Sequence, residues 1–179
     1  MAKIKVTQEQ YTQIMDEMVI DFLKTASIEE RHQLVFQWNY RSQGGRNIFK
    51  WIANDPNTDK ATALMLYWKQ YLSPWHMKIY ASRDEVHWAD VDDFDFHEEL
   101  EHLYLSGFYK NHAFAFDPTS NDGKNGWNWT VKPSFNTKRE IPAMMFEKLM
   151  GKEIPCNRNF SEGALLYIWE KLREYETVD

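Results

Sequence analysis

The residues best suited to chemistry lie in one acidic stretch, Asp90-Val-Asp-Asp-Phe-Asp-Phe-His-Glu-Glu-Leu-Glu101. On a helix, Asp93, His97 and Glu101 fall at i, i+4 and i+8 and share one face. Two carboxylates and an imidazole on one face can form a metal-ligand set, with His102 beside them. The run His97-Glu-Glu-Leu-Glu-His102 approaches a zinc-protease motif but misses its spacing. That motif needs two His at i and i+4, and these two are five apart. The same stretch has a second use. Asp92, Asp93, Asp95, Glu98, Glu99 and Glu101 can imitate phosphates and plug the basic cleft of another protein. Against both stands a plain alternative, a hydrated helix start whose acids suit the helix dipole.

Other chemistry is sparse. The six histidines (His32, His76, His87, His97, His102, His112) form no Ser/His/Asp grammar, and no G-x-S-x-G elbow occurs. Cys156 sits in Ile-Pro-Cys-Asn-Arg without a neighbouring signature. Gly44-Gly45-Arg46 lacks the spacing and the Lys-Ser/Thr of a phosphate loop, although Arg41 and Arg46 flank that turn and could meet an anion. Trp38, Trp51, Trp68, Trp75 and Trp88 could line a ligand pocket, but the helical spacing around Trp38 and Trp68 suits core packing. Trp75-His76 and the polar tip of the 119–126 loop are better placed for surface function. No catalytic residue and no cofactor is implied.

Charge gives the acidic stretch its weight. Residues 90–117 hold eight acids and one base, Lys110, while the segments on either side are close to neutral. The net charge of −6 therefore lies in one place. Such a field attracts basic partners and repels nucleic acid. The chain has 179 residues, 43% of them apolar and 16% aromatic, enough for one domain with a real core. No apolar run is long enough to span a membrane. A single cysteine and an N-terminus without a signal-peptide pattern lead us to expect a cytoplasmic protein.

The elements that must hold these residues read as helices. Tyr11, Ile14, Met15, Met18, Val19, Phe22 and Leu23 predict an amphipathic helix over 8–24. Ser27 and Glu30 have capping-box spacing and predict a second helix to about Tyr40, with Leu34, Val35 and Trp38 inward and Gly44-Gly45 as the break. Ile48, Phe49 and Ile52 predict a third that ends at Asp55-Pro56. Thr58 or Asp59 can cap a fourth reaching about Tyr71, with Leu64, Met65, Trp68 and Leu72 on one face. The acidic helix runs from about Asp92 to Ser106, with Gly107 as its C-cap. Phe114 and Phe116, then Trp127, Trp129 and Val131, alternate around a turn-rich stretch and predict a small β-hairpin near 113–132, with an irregular loop anchored by these aromatics as the alternative. Pro142 opens a further predicted helix through Leu149 closed by Gly151, and Ser161 caps a last one carrying Leu165, Ile168, Trp169 and Leu172. The expected fold is a mainly α, single-domain bundle of about six or seven helices with that hairpin.

The stretch Phe49 to Trp68 resembles an uncharacterised bacterial domain-of-unknown-function family. The matching residues are Pro56, Asp59, Ala61, Thr62, Ala63, Leu64, Tyr67 and Trp68, with Trp38-Asn39-Tyr40 upstream. The clear likeness covers about residues 32–72, and a looser one extends toward the C-terminus. Thr58 replaces a frequent cysteine, and Arg41 and Arg46 stand near a turn that is often acidic in the family. The resemblance implies no activity. Physically, its residues read as a capping and packing motif at the centre of the fold: Pro56 enters the fourth helix, Asp59 or Thr58 caps it, and the alanines admit close neighbours.

Two classes of function follow as expectations. The first is a non-enzymatic binding protein, resembling the immunity proteins that neutralise toxins, acting on a basic partner through the acidic helix. The second is a metal-dependent enzyme or metal-binding protein using Asp93, His97 and Glu101, with His102. A scaffold or regulatory subunit is the third and plainest expectation.

Overall fold

The computed structural model describes residues 3–38, 45–69, 79–120, 137–155 and 159–178. In these the mainly α fold is present. The helices are α1 (Gln8–Thr25), α2 (Ile28–Gln37), α3 (Gly45–Asn54), α4 (Lys60–Lys69), α5 (Val91–Leu105), α6 (Phe160–Ala164) and α7 (Leu166–Leu172). Single 3-10 turns occur at Arg83–Glu85, Trp88–Asp90 and Ala143–Phe146. Two short strands, β1 (Ile4–Val6) and β2 (Tyr175–Thr177), pair in parallel with Ile4 opposite Tyr175. Among the described residues no helix is long and apolar enough to cross a membrane.

Contacts divide the chain into two compact units. One consists of residues 1–52 with 157–179, and the other is the continuous segment 53–156. In the first unit, helix starts follow local chemistry. Thr7 with Gln10 and Ser27 with Glu30 both form complete capping boxes, so two otherwise orphaned N–H groups are satisfied at each start. Helix α1 turns Met15, Val19 and Leu23 inward, and it packs on α7 and β2 while α2 packs on α6. Trp38 ends α2 and stacks on Trp169 with ring centroids 5.8 Å apart. Buried Arg31 gives its Nε–H to the Leu23 carbonyl at 3.0 Å and lies over the Trp51 ring, which satisfies a charge that would otherwise be costly inside. Burial pushes His32 down to about 4, so it is neutral at physiological pH.

The second unit is built on α4. Every residue from Ala61 to Trp68 is buried, so this helix is apolar all round and not on one face only. Asp59, one of the two expected caps, starts it, but Pro56 does not enter the helix. Pro56 lies in a turn closed by the Thr58 N–H on the Asp55 carbonyl, where proline's fixed φ is favourable, and the helix begins after Asp59. Asp59 caps it: one carboxylate oxygen accepts the Ala61 N–H at 2.9 Å and the other accepts the Ala113 N–H at 2.6 Å. The Lys60 N–H meets the Asn111 carbonyl at 2.8 Å. One buried carboxylate thus starts α4 and ties the segment after α5 to it.

Three expectations differ from what is found. No helix runs from Pro142 to Gly151. Only the 3-10 turn forms, because other partners take the backbone groups a helix would use. The Trp68 indole N–H holds the Met145 carbonyl at 2.6 Å, Leu149 exchanges two bonds with Phe116, and Lys152 does so with Ala113 and Ala115. Gly151 is needed for that approach, since a Cβ there would stand 2.5 Å from the Ala113 carbonyl oxygen. Secondly, Phe114 and Phe116, the first arm of the expected hairpin, bridge to Lys152 and Leu149 instead. The only two-stranded sheet among the described residues is β1–β2. Thirdly, the last helical stretch is interrupted at Leu165, and Asn159 occupies the cap position expected for Ser161. Tyr40, Arg41, Gly44, Tyr71, Leu72, Trp75, His76, Trp127, Trp129, Val131 and Cys156, and most of the 119–126 loop, lie outside the described residues.

Candidate functional site

Helix α5 is fixed at both ends by its own sequence. Asp92 and Asp93 occupy its first turn, where carboxylates suit the dipole. At its C-terminus Gly107 adopts φ +71°, which glycine tolerates without strain. The Phe108 N–H reaches back to Leu103 and the Gly107 N–H to Tyr104, satisfying the last carbonyls. Phe94, Phe96, Leu100 and Tyr104 are buried, and α5 packs on α4.

The stripe Asp93, His97 and Glu101 does share a face, and that face is the buried one, with exposures of 6%, 2% and 7%. Glu101 is fully engaged. It receives the Tyr67 hydroxyl at 2.8 Å and a two-pronged guanidinium from Arg139 at 2.8 and 3.1 Å. The Arg139 guanidinium also lies 2.7 Å from a Glu98 oxygen. The His97 ring stacks on Tyr67 with centroids 4.3 Å apart. His102 is exposed, away from the stripe. Among the described residues no three His, Cys, Asp or Glu side chains are arranged to hold a metal ion.

Charges in this network shape one another. Burial pushes the Tyr67 hydroxyl up, and the neighbouring Glu101 charge pushes it further, so it acts as a neutral donor. Burial also raises the Glu98 carboxyl; Arg139 opposes this, while Glu101 and Asp95 add to it. For Arg139, burial works against the charge, but hydrogen bonding and attraction from Glu101 and then Glu98 outweigh it and the guanidinium is held more firmly charged. Such a pair adds little net stability, but losing one partner would strand a buried charge.

The acids expected to meet a partner separate into three groups. Asp93 and Glu101 are buried and cannot reach another protein's surface. Asp95 and Glu98 are about half exposed and engage Arg83 and Arg139. Asp92 and Glu99 are exposed. Bases brought in from outside the acidic segment therefore offset part of its charge, including Lys148 at 3.6 Å from Asp117.

Sequence reasoning missed Tyr67 and Arg139 as partners of the stripe. Tyr67 lay within the family-like stretch, whereas no local pattern marks Arg139, which is 38 residues from Glu101. It also placed Trp88 among the aromatics that could line a ligand pocket, whereas Trp88 is 82% exposed. The signal available there was its position between acids in a stretch without apolar periodicity.

Residues 26–105 match the family model of a domain of unknown function, DUF4274. The matched span runs from just before the Ser27 capping box to the last residue of α5, so it holds α2 to α4 and the acidic helix. An uncharacterised domain family was what residues 32–72 resembled. The searches of curated proteins and of solved structures found no match.

Proposed function

We propose that the protein is a non-enzymatic binding protein of the bacterial cytoplasm that neutralises a basic protein, in the manner of an immunity protein blocking a toxin. The observation that carries this reading is the division of labour on α5. Glu101 ties the helix to Tyr67 and Arg139 and Asp93 is buried beside it, while Asp92 and Glu99 face solvent with the half-exposed Asp95 and Glu98 next to them. An acidic face on a supported helix attracts a basic partner over distance and sets its register on contact. Tyr67 and Arg139 occupy both oxygens of Glu101, so that carboxylate is committed inside the fold and not to a partner.

The burial pattern also selects the right variant. Reversing Asp93 or Glu98 would disturb the interior or the Arg139 cluster, so the informative change is Asp92→Lys with Glu99→Lys. Immobilised wild type and this variant are exposed to a lysate of the source organism, and bound proteins are identified by mass spectrometry. A single basic protein, held by the wild type and lost by the variant, is expected. Equal capture by both, or capture only of further copies of this chain, would overturn the reading.

A further inference from the structure

The turn that leads into α5 carries a second feature. Trp88 stands 82% exposed, the most exposed large apolar side chain among the described residues. An indole in water forgoes a large burial gain, and tryptophan is among the residues that most often dominate binding interfaces. The turn beneath it is tightly tied. Tyr80 donates its hydroxyl to Asp90 at 2.8 Å, and Arg83 grips Asp95 with two bonds of 2.6 and 2.8 Å. The Asp90 N–H meets the His87 carbonyl at 2.8 Å, and the His87 ring flanks the indole at 5.3 Å. Both 3-10 turns rest on α5. A turn held this way loses little backbone freedom when its side chain binds.

Its electrostatic setting is acidic. Asp84 and Asp92 are exposed on either side in sequence, and the nearby Arg83 charge is committed to Asp95. This selects among partners. Phosphate-bearing nucleic acid and anionic membranes would be repelled, and membrane-seeking tryptophans ordinarily stand among Lys and Arg. Arginine or lysine, by contrast, gains from the indole face and from the flanking carboxylates together.

We propose that Trp88 is the aromatic anchor of the contact, inserting into an apolar slot rimmed by Arg or Lys on a basic protein surface. This rests on the binding reading above and names the partner chemistry at the same surface.

The test uses two fluorescein-labelled peptides of equal charge, one alternating Arg and Leu and the other alternating Arg and Ser, read by anisotropy. Wild type should bind the Arg-Leu peptide at least about tenfold more tightly than the Arg-Ser peptide. Trp88→Ala, which removes an exposed side chain and should leave the circular dichroism spectrum unchanged, should lose about that factor for the Arg-Leu peptide. Arg-Leu binding by Trp88→Ala within twofold of wild type overturns the anchor. If Asp92→Lys/Glu99→Lys then loses both peptides, the basic-partner reading survives alone. No binding by the wild type overturns both. Trp88-dependent binding to phosphatidylserine vesicles, or Trp88-dependent dimerisation, in place of peptide binding would also overturn the anchor.

Discussion

Asp59→Ala is the substitution that most sharply tests how the second unit is held together. The Asp59 carboxylate is 1% exposed and serves two backbone donors from different segments, Ala61 at 2.9 Å and Ala113 at 2.6 Å. Removing a helix cap costs about 1 kcal/mol. Leaving the second amide without an acceptor in the interior costs about 1–3 kcal/mol more. The expected loss is therefore about 2–4 kcal/mol, or about 4–16 °C in Tm for a chain of this size. Asp59→Asn keeps one acceptor oxygen but sets an amide against the other N–H, so it should recover only part of the loss. Urea unfolding followed by circular dichroism measures both. An Asp59→Ala loss below about 0.5 kcal/mol, the range of an ordinary surface change, would refute the claim that this residue joins α4 to the 111–113 segment.

Two further outcomes follow from the buried charges. Arg139→Ala strands Glu101 with only the Tyr67 hydroxyl and should cost about 3–5 kcal/mol in urea unfolding, whereas Arg139→Met with Glu101→Leu should recover most of it; a double variant no better than the single would contradict the ion-pair account. Asp16 is buried, with one oxygen on the Asn47 amide at 2.7 Å and the other without a hydrogen-bond partner among the described residues. Burial raises its carboxyl above the ordinary 3.8, the Asn47 bond opposes this, and Glu17 adds to it. The folded chain then holds this proton more tightly than the unfolded one. The stability Asp16 contributes is full below about 3.8 and is lost as pH rises from there through the folded value. Asp16→Asn should remove that decline as pH rises above about 3.8, and parallel stability curves for the two proteins would contradict it.

Local chemistry was readable where local chemistry decides. The Ser27–Glu30 capping box, the Asp55-Pro56 stop, the Asp59 cap and the Gly107 terminus each act within a few residues, and each helix end stands where those residues place it. Long-range pairing was not readable. Strands β1 and β2 lie at opposite ends of the chain, and three residues apiece leave no pattern to detect. Met145 and Leu149 have helical spacing, yet Trp68 and Phe116 claim their backbone groups. At the candidate site, the i, i+4, i+8 stripe was legible but its orientation was not. Phe94, Phe96 and Leu100 alternate closely with acids around α5, and the guanidinium of Arg139, supplied from a distant segment, acts with the Tyr67 hydroxyl to offset the cost of burying Glu101.

The central claim is that the exposed acids of α5 draw in a basic protein. Its most direct measurement is the association rate of the captured partner against ionic strength, for the wild type and for Asp92→Lys/Glu99→Lys. Electrostatic steering predicts a wild-type rate that falls about tenfold or more between low and high salt, and a variant that associates slowly throughout. A rate indifferent to salt and equal in both proteins would contradict the account.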